Sequence, residues 1–282
     1  LQKFIPHIYL QMGLFKNLPQ IVKRLAFYDF ANSSYFLIYN SFLFPIFFST
    51  ILINYGYSLS SWGIANGIST ILGVISAIFI GKYADKNNRF KALKWSIISA
   101  FFGMVMLSLA IGYFTKYVYH LFILTNSIFI LSISLSDSIL PYISDRNKAY
   151  LYSGFAWGFG YLGGIISLVM VILLQKSTSD FSPIVFLSVA VFYIVFSRYA
   201  LKGLKKVKLN EPLIKKEQKI ISNKNKGLLL LGYWFISEAV TVILLFYSIY
   251  LSQELKLSNL IIGIFFLSAQ LIAFPATWYG GY

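Results

Sequence analysis

The sequence predicts an all-α, polytopic membrane protein, and three observations carry that prediction. Of the 282 residues 58% are hydrophobic and only 12% are charged, about half the charged share of a soluble globular domain. The apolar residues gather into windows of roughly 20, the length that crosses a hydrocarbon core. Aromatic residues make up 19% of the chain, which suits lipid-facing helices with interfacial belts of Tyr and Trp. There is no cysteine, and the only histidines are His7 and His120. Disulfides, thiolate chemistry and a histidine-built metal site are therefore excluded, and neither a metal nor a cofactor is expected.

Eight spans can be drawn in order. The first, Leu25–Asn54, contains Pro45, whose missing backbone hydrogen bond favours a kink or hinge. Ahead of it, residues 1–24 mix apolar residues with Lys3, Lys16, Lys23 and Arg24 and read as an interfacial segment. The second span, Ser61–Ala84, is bracketed by Gly63 and Gly81 and runs into a basic loop. The third, Ala92–Thr115, and the fourth, Tyr117–Ile143, follow with tight connections. Glycine dominates the start of the fifth, Leu151–Leu174, and the sixth is Pro183–Leu204. A long basic stretch, nearly free of aromatics, then fills residues 205–226 and marks a seam between two bundles. The seventh span is Gly227–Ser252; the eighth, Ser258–Tyr282, holds Pro275 and is bracketed by Gly263 and Gly281 at the same spacing as the second. Together with Tyr28-Asp29-Phe30 and its echo Tyr233-Trp234-Phe235, this is a faint internal repeat of the kind built into transporters.

Charge orients the spans. With the N-terminus in the cytoplasm, 21 of the 24 basic residues fall on the cytoplasmic side, and only Lys116, Lys176 and Lys256 on the other. That is a strong positive-inside asymmetry. The net charge of +15 is then matched by anionic lipid on the cytoplasmic face, and nucleic acid is not an expected partner.

After the second span the chain reads Gly81-Lys82-Tyr83-Ala84-Asp85-Lys86-Asn87-Asn88-Arg89-Phe90-Lys91. This resembles the helix 2–3 loop signature of the major facilitator superfamily, in which a glycine and an aspartate precede a turn glycine and several bases. In that pattern Gly81 permits close helix contact, Asp85 pairs with bases or caps the third helix, and Lys86, Arg89 and Lys91 mark the cytoplasmic face. Asn88 stands where the turn glycine is usual, and Asn also enters the left-handed region. Two further stretches, Ala26–Phe48 with YDFANSSYF and FLFPIFF, and SDSILPYIS at Ser136–Ser144 followed by SGFAWGFGYLGG, resemble one branch. That branch comprises the autophagy-related vacuolar amino-acid effluxers and their prokaryotic relatives. The resemblance covers most of residues 26–165 and is much looser beyond Lys202. It implies twelve helices in two six-helix bundles, so a six-helix bundle over residues 25–204 and the first two helices of a second over 227–282 are expected, in a C-terminally incomplete sequence. It also implies a monomer, in the cell membrane of a prokaryote or a vacuole-type membrane of a eukaryote.

Within the fifth span Gly158-Phe159-Gly160-Tyr161-Leu162-Gly163 satisfies the G-x-G-x-x-G pattern, with Asp180 placed 20 residues beyond Gly160. A dinucleotide turn needs a preceding strand, whereas here a polar stretch precedes and an apolar helix continues. Read on a helix, Gly154/Gly158 and Gly160/Gly164 form two small-xxx-small pairs, broadened by Gly163, that let helices approach closely.

Polar groups inside spans are costly and need a partner or a purpose. Asp29 lies about 6 Å into its span and Asp137 about 9 Å from the end of the fourth, so both fall near the interface. Glu238 lies about 16 Å into the seventh span, near the midplane, where a carboxyl needs a proton or a partner. Glu238 is therefore the leading candidate for proton coupling or substrate binding; the bland alternative is a hydrogen-bonded acid that holds helices together. Asn32, Tyr39, Asn40, Asn66, Asn126 and Gln270 are candidates to line the same cavity. The expected function is secondary active transport of a small polar solute by alternating access between two bundles, with proton coupling as the expected drive; the resemblance favours an amino acid. An enzyme is not expected, because the embedded acids are too scattered for a catalytic cluster. A non-transporting membrane sensor or scaffold that keeps the transporter fold is the alternative.

Overall fold

The computed structural model describes residues 18–144, 146–204 and 224–280, and among them there is no strand. In chain order the helices are α1 (Gln20–Tyr35), a π-helical segment (Phe36–Ser41), α2 (Leu43–Thr50), α3 (Leu59–Lys86), α4 (Arg89–Tyr113), α5 (Val118–Asp137), α6 (Leu140–Ile143), α7 (Arg146–Ser177), α8 (Pro183–Leu204), α9 (Lys224–Gln253) and α10 (Asn259–Gly280). Seven helical segments among the described residues are long and apolar enough to cross a membrane. The chain thus fits an integral, multi-pass membrane protein.

Local chemistry fixes several boundaries. Ser58 opens α3 through a capping box with Ser61. Asn88 opens α4 by accepting a hydrogen bond from the Lys91 backbone N–H at 2.9 Å. Asp85, expected to pair with bases or to cap the third helix, pairs with Arg89 one turn away. The first predicted span is the one not realised as a single long helix, because it is broken into α1, the π segment and α2. Its helix also begins at Gln20, so residues 20–24, assigned by sequence to an interfacial segment, belong to α1. The fourth span ends at Asp137, with α6 as a separate turn. The fifth starts at Arg146, so the polar stretch before it is largely helix. Residues 1–17 and most of the 205–226 linker lie outside the described residues.

Long-range hydrogen bonds define two ends. At one end the Arg24 guanidinium, over the Tyr199 ring at 4.0 Å, donates to the Tyr199 carbonyl and joins the start of α1 to the end of α8. Arg89 joins the α3–α4 elbow to Ser138 and Tyr142, beyond the end of α5. Lys82, Lys86, Lys91 and Lys94 cluster at this same basic end. At the other end Gln253 donates to Ser49 at 3.3 Å, and Asn259 donates to the Asp180 carboxylate at 2.8 Å.

Packing places the first span centrally. α1 lies against α7 and α8, α5 lies between α3 and α4, and α4 also packs on α8. α10 packs on α7, and α9 reaches α2 and the π segment. The interior is aromatic: Tyr35 stacks on Tyr39 at 4.9 Å, Phe44 stacks on Phe122 at 4.8 Å, and Trp62 is fully buried. Outward surfaces are apolar, as on α3, where Ile64, Ile71, Ile75 and Phe79 are exposed.

Candidate functional site

Pro45 accounts for the break in the first span. Its ring has no N–H to donate and excludes the carbonyl four residues earlier, so the hydrogen-bond ladder slips. Phe42 N–H bonds the Leu37 carbonyl at 2.8 Å, a five-residue step, and Phe42 leaves helical geometry at φ −112°, ψ −82°. Such π segments gather at functional sites. Here the segment carries Tyr39, Asn40 and Ser41, all buried. Pro275, by contrast, sits in α10 without interrupting it.

From Asn40 a continuous polar chain crosses the protein. The Asn40 amide donates to Asn126 Oδ1 at 3.2 Å, and Asn126 donates to Ser69 Oγ at 2.7 Å. Ser69 donates to the Asn66 carbonyl, Asn66 to the Trp62 carbonyl, and the Trp62 indole N–H to the Leu245 carbonyl of α9 at 2.9 Å. The π segment is thereby joined through α5 and α3 to α9. Tyr39 leaves in another direction, toward Ser108 at 3.1 Å and the Phe186 carbonyl at 3.2 Å. One level nearer the basic end, Tyr28 donates to Ser132 at 2.7 Å, beside Tyr193. Asn32 Oδ1, Tyr35 OH, Asn40 Oδ1, Ser41 Oγ and Gln270 Oε1 are buried without a hydrogen-bond partner in the protein. Ser197 Oγ and Ser248 Oγ are likewise unpartnered; buried polar atoms of this kind are costly, and four of these seven lie between residues 32 and 41.

Asp29 and Asp137, far apart in sequence, line one cleft of about 50 Å³. α1, α5, α6 and α7 form it, with Ser136, Tyr152, Ser153 and Trp157 also in its wall. Because α1 starts at Gln20, Asp29 is its tenth residue and lies about 14 Å along it, deeper than sequence placed it. Asp29 is half-buried and Asp137 is exposed at the mouth. Among the described residues neither forms an ion pair or a side-chain hydrogen bond.

The glycines of α7 divide their work. A Cβ on Gly160 would meet Ser33 Oγ at 2.9 Å, and one on Gly163 would strike the Phe30 carbonyl. Both glycines therefore let α7 lie against the α1 backbone. Gly164 faces α10 instead, with Gln270 Oε1 at 3.0 Å from a Cβ built there. Gly158 is buried and Gly154 half-buried. No strand precedes them, and Asp180 is engaged by Asn259, so the dinucleotide pattern reduces to packing. Gly81 differs from expectation, since nothing lies within 4 Å of a Cβ built on it. Arg89, not Gly81, organises the α3–α4 elbow: it pairs with Asp85, donates to Ser138 Oγ at 2.9 Å and Tyr142 OH at 2.6 Å, and lies 4.4 Å from the Tyr142 ring. Lys86 and Lys91 are exposed.

Glu238 is exposed near the middle of α9, apart from this polar core, because α9 meets the bundle only through its last turns. Sequence reasoning overlooked Trp62, Ser69, Ser108, Ser132 and Ser136. A serine inside an apolar span also satisfies itself on its own helix, as Ser108 does on the Met104 carbonyl, so composition gives no sign of which serines reach across.

No family profile and no solved structure matches the chain. It is similar to a protein of Aquifex aeolicus (strain VF5) named only as uncharacterized, at 26% identity over 244 residues. The match covers 84% of this chain and 60% of that relative.

Proposed function

We propose that the protein is a secondary transporter of the facilitator type, moving a small polar solute by alternating access between two helical bundles. The observation that carries this reading is a pair of glycine contacts between the second and seventh spans and between the eighth and the first and fifth. A Cβ on Gly63 of α3 would lie 3.4 Å from Phe246 of α9, and one on Gly263 of α10 would lie 3.0 Å from Ile172 of α7 and 3.3 Å from Phe42 after the π segment. The two glycines are the repeat-related pair of the sequence, and halves related by an axis along the membrane normal make paired contacts of this kind.

The seam also has the asymmetry that alternating access requires. Trp62 to Leu245, Gln253 to Ser49 and Asn259 to Asp180 join α9 and α10 to the bundle at the end away from the basic cluster. Toward the basic end Leu228, Leu229, Tyr233, Phe235 and Ile236 of α9 are exposed. With the basic end in the cytoplasm, the contacts that join α9 and α10 to the bundle gather toward the outer side. The buried, unpartnered acceptors of Asn32, Asn40 and Gln270 suit a neutral polar solute or one with N–H donors, consistent with the amino acid that the family resemblance implies.

Counterflow of labelled amino acids and other small polar solutes into proteoliposomes of the full-length protein tests the proposal. Accumulation of one class supports transport; none across the panel, with correctly inserted protein, favours a sensor or scaffold. If Glu238→Gln leaves transport and its pH dependence unchanged, Glu238 has no coupling role.

A further inference from the structure

We propose that the cleft between Asp29 and Asp137 is a binding site for a monovalent metal cation. Three features converge on it. The first is charge: Asp29 is half-buried between α1 and α7, where an ionised carboxylate without a counter-charge is expensive. Arg24 is held by Tyr199, and Arg89 by Asp85, Ser138 and Tyr142. Second is an unpartnered oxygen in the wall. Ser136 is only 6% exposed, lines the cleft, and makes no side-chain hydrogen bond among the described residues. A serine in a helix normally turns back to its own backbone, as Ser132, Ser134 and Ser138 do on the same helix or just after it.

Third is the donor set. Asp29, Asp137, Ser136 and Ser153 offer oxygen alone, the donor set of hard cations. Only the Asp29 carboxylate is withdrawn from solvent, so one positive charge balances the interior while Asp137, exposed at the mouth, collects the ion.

The test is equilibrium binding of radioactive sodium to the purified full-length protein in detergent, in alkaline buffer so that both acids are ionised, with Trp157 fluorescence as a second readout. Saturable binding of one ion per chain is expected. It should be competed by lithium but not by choline, abolished by Asp29→Asn and weakened about tenfold by Asp137→Asn. Asp137 and Ser136 lie at the cleft wall rather than under α7, so Asp137→Asn and Ser136→Ala remain informative if Asp29→Asn fails to fold. Binding that is absent, that is untouched by both Asp137→Asn and Ser136→Ala, or that calcium or magnesium saturates in place of sodium overturns the proposal. The measurement needs no transport, so its failure leaves the transport reading standing, and a failed counterflow assay leaves this site standing.

Discussion

Gly163→Ala isolates the contact on which the α1–α7 pairing depends. The added methyl would strike the Phe30 carbonyl oxygen, with the carbonyl carbon 2.7 Å and Cα 2.8 Å away. Ordinary contact starts near 3.4 Å, so the carbon alone would have to retreat by about 0.7 Å. The obstacle is backbone inside α1, and no rotamer change relieves it. Overpacking of this kind costs about 1–3 kcal/mol, with a rigid neighbour placing it at the upper end. Against this, alanine favours a helix over glycine by about 1 kcal/mol, so a net loss of about 1–2 kcal/mol is expected. At roughly 2–4 °C per kcal/mol, melting of the protein in detergent, followed as loss of the monodisperse species after heating, should fall by about 2–8 °C. Two controls share the substitution without the clash. Gly164→Ala meets only the tip of Gln270, which can swing aside, and Gly81→Ala meets nothing within 4 Å. Both should melt at or above the unchanged protein. If Gly163→Ala melts with the controls, α7 does not lie against the α1 backbone as described.

Four other perturbations follow from the same geometry. Asn126→Leu removes the centre of the Asn40–Asn126–Ser69 chain and leaves the buried Asn40 amide N–H without its acceptor, so a loss of about 1–3 kcal/mol is expected in the same thermal assay. Asp85→Asn should change stability by less than about 1 kcal/mol, because the Asp85 side chain is 52% exposed. Arg89→Lys should cost more than Asp85→Asn, since an ammonium cannot make the forked bonds to Ser138 and Tyr142; an Arg89→Lys cost no larger than that of Asp85→Asn would show that those bonds do not matter. Since the chain has no cysteine, single-cysteine variants report the seam directly: Glu238→Cys should react with a polar maleimide much faster than Ser248→Cys, which is fully buried, and the reverse order would contradict the described placement of α9.

The helices were legible because lipid imposes a simple code. Backbone groups without water must bond within their own segment, so any apolar window of about 20 residues becomes a helix, and seven of the eight were found this way. The antiparallel order followed from short connections, and the elbow residues were visible as a motif. What remained hidden depends on facing. Asp29 and Asp137 are 108 positions apart and each read as an interfacial acid; only the packing of α1 against α7 and the end of α5 turns them toward one cleft. Glu238 had the depth expected of a buried coupling acid, yet α9 stands away from the bundle there, and no periodicity reports that divergence. The break at Pro45 was expected as a kink, but its outcome, a π segment that turns Asn40 toward Asn126, depended on which neighbours could accept the slipped turn.

By itself, then, the sequence determined the solvent and the secondary structure, because hydropathy and backbone hydrogen bonding act locally along each span. Only the tertiary structure decided which glycine meets a backbone and which meets open space, which serine bonds its own helix and which faces a cleft, and which acids share a site. Those choices depend on the rotation of each helix about its axis, and that rotation is fixed by contacts between residues distant in the chain.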